Sequence, residues 1–241
     1  ENMKRVPTAE ADIEIVPSEG ADAQPGDSDL VVTWKQAFPF RFSASADDAG
    51  SKATGKLQGS LTVSGDHLLT LNDLFYITAT HDLEGREGRH GAQGRTVHYS
   101  LPFGYWLLGL TASDYNYHQS VAGASQNYRY SGKSENADVR LTRIVWRDAQ
   151  SKTTLGLRSW LRASQNYIDD TEVQVQRRRM AGWEINAAEK IFLKDAALDL
   201  NLAYRWGTGA QGALPAPEEA FGEGASRPRL TTADLQFNQP F

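Results

Sequence analysis

Cysteine is absent from the 241 residues. That excludes a disulfide scaffold and a thiolate metal site, while leaving the compartment open. A surplus of positive charge is missing too: 25 Lys and Arg stand against 30 Asp and Glu, for a net charge of −5. A general nucleic-acid binder would be basic, so nucleic acid is not expected as a partner. Long apolar runs are lacking. The longest, "LPFGYWLLGLTA" (101–112), falls well short of the roughly 20 residues a helix needs to cross a bilayer. Mean hydropathy is −0.51, yet a membrane barrel remains open, because a barrel strand exposes only alternate residues to lipid. There is also no initiator Met at Glu1 and no signal-like apolar stretch; a processed or trimmed piece is the expectation.

What is present from Phe38 onward is alternation. In "ALDLNLAYRWGTG" (197–209), Leu198, Leu200, Leu202, Tyr204 and Trp206 share one parity, while Asp199, Asn201, Ala203 and Arg205 share the other. Successive side chains of a strand point to opposite faces, so this segment has an apolar face and a wet one. "FPFRFSASA" (38–46), "KLQGSLTVSG" (56–65), "RTVHYSLPF" (95–103) and "TLGLRSWLRAS" (154–164) repeat the pattern. Less regular strands are expected near 70–83, 105–118, 136–147, 173–193 and 229–241. That makes about ten strands, many longer than the roughly 5–6 residues usual in globular sheets. The first 37 residues differ. "ENMKRVPT" reads as a helix end stopped by Pro7, and "ADIEIVP" (11–17) and "DLVVTWKQA" (29–37) read as strands around a Pro25-Gly26 turn.

Connections then sort by length. Long ones are expected after the first strand, at 84–94, at 121–135 and at 210–228, with a modest one at 169–173; short ones fall at Gly104, 148–152 and 193–196. Long loops at one end and tight turns at the other mark an up-and-down outer-membrane barrel. Aromatics fall at both strand ends: Phe75, Phe103, Tyr105, Trp106, Trp146, Phe192, Phe237 and Phe241 near the short turns, Tyr99, Tyr115, Tyr117, Tyr167, Tyr204 and Trp206 near the long loops. Such belts match interfacial girdles, although aromatics are also good strand formers anywhere. The fold class expected is all-β, an antiparallel up-and-down transmembrane barrel. Leu198, Leu200, Leu202, Tyr204 and Trp206 would face lipid; Arg41, His98, Arg158, Arg162, Arg178, Glu184, Asp199, Asn201, Arg205 and Asp234 would line a wet lumen. Charges in a dry β core would cost several kcal/mol each unless paired. The competing assignment puts them on the solvent face of an open, soluble sheet.

A short α+β tail followed by such a barrel resembles the two-partner secretion transporters of the Omp85 superfamily. The stretches that carry the likeness are "PGDSDLVV" (25–32), "SGDHLLTLNDLFYITAT" (64–80), "YSLPFGYWLL" (99–108) and "YRYSGKSENADVRLTRIVWRD" (128–148). In detail they are most similar to members that export filamentous haemagglutinin. The resemblance implies that residues 1–35 end a periplasmic POTRA module and that 36–241 form the first part of a barrel of about sixteen strands. It implies an outer-membrane translocator, monomeric and surrounded by lipid, that exports an unfolded haemagglutinin-type partner without ATP or cofactor. The family's VRGY/F tetrad and the barrel-wall motif it meets have no match in these residues. An edge strand receiving an extended polypeptide would be Asp12, Ile13, Glu14 and Ile15, unless that strand is internal to its module.

Catalysis is not expected. His81-Asp82 and Asp169-Asp170 are paired candidates at strand ends, and neither has a nucleophile at recognisable spacing; GxSxG, HExxH and a phosphate loop are all absent. His67, His81, His90, His98 and His118 show no metal-ligand spacing. A passive pore and a barrel hydrolase remain as alternatives.

Overall fold

The computed structural model describes residues 5–19, 24, 26–84 and 89–239. Two strands come first: β1 (Ala9–Pro17) and β2 (Ser28–Gln36), an antiparallel pair with Ile13 opposite Val32 and Ala11 opposite Trp34. They correspond to the two expected tail strands. Half of the expected helix end, residues 1–4, lies outside the described residues, and Val6–Thr8 form bend and turn rather than helix.

All other strands belong to one 11-stranded sheet. In chain order they are β3 (Phe40–Asp47), β4 (Gln58–Asp66), β5 (Leu74–Asp82), β6 (His90–Phe103), β7 (Trp106–Ala122), β8 (Asn127–Arg147), β9 (Ser151–Ile168), the short β10 (Thr171–Glu172), β11 (Arg178–Phe192), β12 (Ala197–Thr208) and β13 (Arg229–Asn238). Every strand pairs antiparallel with its sequence neighbours, apart from β10, a spur on β9. That is an up-and-down order, and among the described residues β3 and β13 do not pair with each other.

Register decides the faces, because residues paired across strands share one side. One row runs Ser43, Thr62, Thr78, Thr96, Ser113, Asn136, Arg162. The neighbouring row on the opposite face runs Phe42, Val63, Ile77, Val97, Ala112, Ala137, Leu161, Ala181. The polar face holds side chains that are largely hidden, including Asp66, Ser64, Ser100, Glu184 and Trp160, whereas Phe42 on the apolar face is 70% exposed and Leu202 55%. A curved sheet crowds its concave side, so the polar face is the inner one. Neither a helix layer nor a second sheet covers the apolar rows among the described residues.

Two expected loops are corrected. The stretch 121–135 is not a loop: β7 and β8 continue in register to Ala122 opposite Asn127, joined by residues 123–126 alone. Likewise β6 begins at His90, inside the expected 84–94 loop. The strand expected at 173–193 starts at Arg178, after a 3-10 turn at Gln174–Gln176. The long connection 209–228 is present and contains a second 3-10 turn, Pro217–Phe221. Its Gln211 folds back, donating from Nε2 to Ser159 Oγ (3.1 Å) on the apolar face.

Candidate functional site: the inner wall and the tail beneath it

All the residues expected to line a lumen share the inner face. Arg205, Glu184, Arg158 and Arg140 are consecutive partners across β12, β11, β9 and β8. Arg41 and His98 lie in the row holding Ser64, Tyr76, Thr111, Asp138 and Trp160. Asp199, Asn201 and Asp234 keep the parity of Arg205. Leu198, Leu200, Leu202, Tyr204 and Trp206 lie on the opposite, outer face.

The inner wall is a network. Glu184 accepts from Arg205 Nε (2.7 Å) and Nη2 (2.5 Å), with Arg158 Nη1 and Arg140 Nη2 each 3.9 Å away. Arg158 donates through Nη2 to Asp138 Oδ1 at 2.6 Å, and the Arg205 guanidinium lies 5.8 Å from the Trp160 ring centroid. Arg162 Nε donates to Asn136 Oδ1 (3.0 Å), and Lys190 pairs with Asp199 (3.2 Å). Arg178 is taken by Glu218 of the long loop. His98 Nδ1 is 3.0 Å from Thr111 Oγ1, its ring stacked on Tyr76 at 4.9 Å. Guanidinium groups outnumber carboxylates in the cluster around Glu184: Arg140, Arg158 and Arg205 face Glu184 and Asp138. The sequence names Glu184 as a lumen residue but not Asp138 and Arg140, which extending the alternation into β8 would reach, nor Trp160, which shares the parity of Arg158 and Arg162 on β9.

Aromatic placement is mixed. Tyr204 and Trp206 stack at 5.7 Å on the outer face near the long-loop end, where Trp206 also pairs with Trp183. Phe75, Phe103, Trp106 and Phe237 lie on that face towards the short turns. Tyr99, expected in the long-loop belt, is instead directly opposite Phe75 and belongs with the short-turn group. Tyr115 and Tyr117 point inward, and Phe192 has inner parity. Phe241 lies outside the described residues.

The rim pairs do local work. His81 Nδ1 contacts the Asp82 carbonyl at 2.5 Å, and Asp169 Oδ1 accepts from the Arg129 N–H at 2.9 Å, tying the end of β9 to β8. Among the described residues, no group of three or more His, Cys, Asp or Glu is placed to hold a metal ion.

The other concentration of buried polarity is at the short-turn end, beneath β4. Asp66 is fully buried. Its carboxylate accepts from Arg41 Nε (3.1 Å) and Nη2 (2.9 Å), and from Thr8 N–H (3.2 Å) and Oγ1 (2.9 Å). Gln36 Nε2 donates to the Asp66 carbonyl at 3.1 Å. The turn that follows, 67–73, places His67, Thr70 and Asn72 at positive φ, and its Asp73, also fully buried, accepts from the Leu69 N–H at 3.0 Å. Arg41, expected at the lumen wall, is on that face with its guanidinium committed to Asp66.

An antiparallel up-and-down wall, charged within and apolar on its outer rows except for Arg95, Asp114, Glu135 and Arg179 towards the long-loop end, defines a segment of a β-barrel. The sequence profile of the haemolysin secretion/activation proteins ShlB/FhaC/HecB matches residues 26–241, and the chain belongs to that family. Among curated relatives it is 32% identical, over its whole length, to the outer membrane transporter CdiB-2 of Burkholderia pseudomallei (strain 1026b), covering 41% of that protein. It is 23% identical over 229 residues to the hemolysin transporter protein ShlB of Serratia marcescens, covering 90% of this chain and 41% of that one. Its fold superposes on CdiB from Escherichia coli with a TM-score of 0.89 at 22% identity, over 99% of this chain and 44% of that one. With CdiB from Acinetobacter baumannii the TM-score is 0.81 at 28% identity, over 100% and 42%. The chain thus spans less than half the length of these relatives.

Proposed function

We propose that this chain is the tail and first part of the barrel of an outer-membrane transporter that exports an unfolded partner protein from periplasm to cell surface without ATP. The observation that carries the reading is the division of one sheet into an outer face that is apolar below the Arg95–Asp114–Glu135–Arg179 row and a charged inner face, in a chain of this family. Relatives named as outer membrane and hemolysin transporters support the same conclusion. On this reading the short turns and the β1–β2 tail are periplasmic, the latter ending a POTRA module over residues 1–35. The outer rows, Leu198 to Trp206 among them, meet lipid. Arg41, His98, Arg158, Arg162, Arg178, Glu184, Asp199, Asn201, Arg205 and Asp234 line a hydrated path, through which an extended chain of the haemagglutinin or haemolysin type passes. One chain forms one pore, and the transporter performs no covalent chemistry.

The tail supplies the receiving surface. Asp12–Ile15 are exposed, and among the described residues β1 pairs with β2 alone. An extended polypeptide would add a strand to β1 through main-chain hydrogen bonds. The Ile13 N–H donates to its neighbour Asp12 Oδ1 (3.1 Å), an exposed bond that an arriving strand would replace.

The test joins transport to conduction. Reconstituted in vesicles, the complete transporter should move the secretion domain of its partner across the bilayer, and in planar bilayers it should conduct. Reversing the charge at Arg158, Arg162 and Arg205 together should shift permeability from anions towards cations. Unchanged selectivity would contradict their lumenal position, and failure to move the partner would return the reading to a passive pore.

A further inference from the structure

Asp66 is an unusual residue for the end of a barrel strand. A fully buried carboxylate is costly unless its lone pairs are filled and its charge is matched. Arg41 matches the charge from the adjacent strand β3, bidentate and within the barrel wall. The remaining acceptor capacity is filled from the tail, by the backbone N–H and hydroxyl of Thr8 just before β1. Gln36, the last residue of β2, closes on the Asp66 carbonyl, and the Ala37 N–H donates to the Thr8 carbonyl at 2.8 Å. One residue of the wall thus holds both ends of the tail hairpin.

Two further struts reach different parts of the wall. Arg5 Nη2 donates to Ser100 Oγ on β6 at 3.0 Å, and the Trp34 ring meets the His67 ring of the 67–73 turn at 5.1 Å. Asp66, Leu74 and Ser100 form one cross-strand row of the inner face. The tail is therefore tied to the inner side of the mouth, at points on β4, on β6 and on the turn. Points of attachment spread over several strands fix an orientation, whereas one alone would leave a pivot.

We propose that Asp66 is a positioning residue, which locks the β1–β2 hairpin in one orientation beneath the mouth of the barrel so that a chain held on β1 is delivered to the inner wall. The delivery rests on the transport reading above; the lock does not, and the experiment separates them. In the complete transporter in lipid nanodiscs, with any cysteine outside these 241 residues replaced, spin labels at T33C on β2 and K194C on the 193–196 turn report the tail-to-barrel distance; both positions are exposed, and residues 1–241 hold no cysteine. The parent should give one narrow distance. D66N, which cannot match the Arg41 charge, and T8V/Q36L, which removes tail-side bonds while leaving the Arg41–Asp66 pair intact, should each widen the distribution at least twofold, with the barrel's heat-modifiable band unchanged. If D66N fails to fold, T8V/Q36L decides. A width equal to the parent's in T8V/Q36L overturns the lock. A narrow parental distance in a protein that moves no partner counts against transport and leaves the lock standing.

Discussion

The two faces of this wall are made from the same strands, yet they are built on different rules. The outer rows are almost interchangeable: Leu141, Leu157, Ile185 and Tyr204 are cross-strand neighbours, and any apolar side chain of similar size would serve there. The inner rows are specific. Glu184 has meaning only with Arg205, Arg158 and Arg140 around it, and Asp138 only with Arg158. On the proposed reading, lipid tests each outer residue separately by its transfer energy, while a wet, crowded face tests residues in groups through hydrogen bonds and charge. Substitution tolerance should therefore differ in kind between the faces, additive outside and coupled inside.

The sharpest way to break that contrast is to exchange the chemistries. In the complete barrel folded into lipid vesicles, Leu157→Arg should cost about 2–4 kcal/mol in urea unfolding followed by tryptophan fluorescence. Ser113→Lys on the inner face should change stability by no more than about 0.5 kcal/mol. Similar costs at both positions would mean that the faces are not solvated differently.

Next in size is the coupling within the inner face. Glu184→Leu leaves Arg140, Arg158 and Arg205 facing one another. Because those guanidinium groups are partly open to solvent, a loss of about 1–3 kcal/mol is expected. Asp199→Asn, which breaks the more exposed pair with Lys190, should cost less than about 1 kcal/mol. The same urea transitions measure both, and equal costs would deny the cluster any cooperative character.

The smallest effect belongs to the rim. Glu219 in the 209–228 connection accepts from the Ser226 N–H at 2.5 Å, and that bond holds its carboxyl below the ordinary 4.5. A lowered folded value means that the bond's contribution is complete above pH 4.5 and fades as the pH falls through the depressed value. Amide protection at Ser226, corrected for intrinsic exchange, should therefore fall on acidification, and Glu219→Gln should show little such dependence.

How far these features could be read in advance depended on contrast. Where one face is apolar and the other polar, a period of two is visible in any short window, and the faces of β3, β4, β6, β9 and β12 follow from it. The β7–β8 extension gave no such signal: "SVAGASQNYRYSGKSE" is polar on both parities, and only pairing with a partner of matching length reveals it as strand rather than loop. Tyr99 stands lower in the wall than its sequence position suggests, for a related reason. Its distance along the chain from a loop says little about height in the wall until its partner, Phe75, is known. Asp66, between a glycine and a histidine at the end of a strand, looks like any turn acid in the sequence. Its burial comes from Thr8 and Gln36, at separations that no local window spans.

By itself the sequence determined the strands, their two-sided character and the family, because alternation and composition are local properties carried by each segment alone. Tertiary structure decided which charges meet, how high each aromatic stands and that the tail is fastened to Asp66. Those depend on register between strands, and register is set by all the pairings at once.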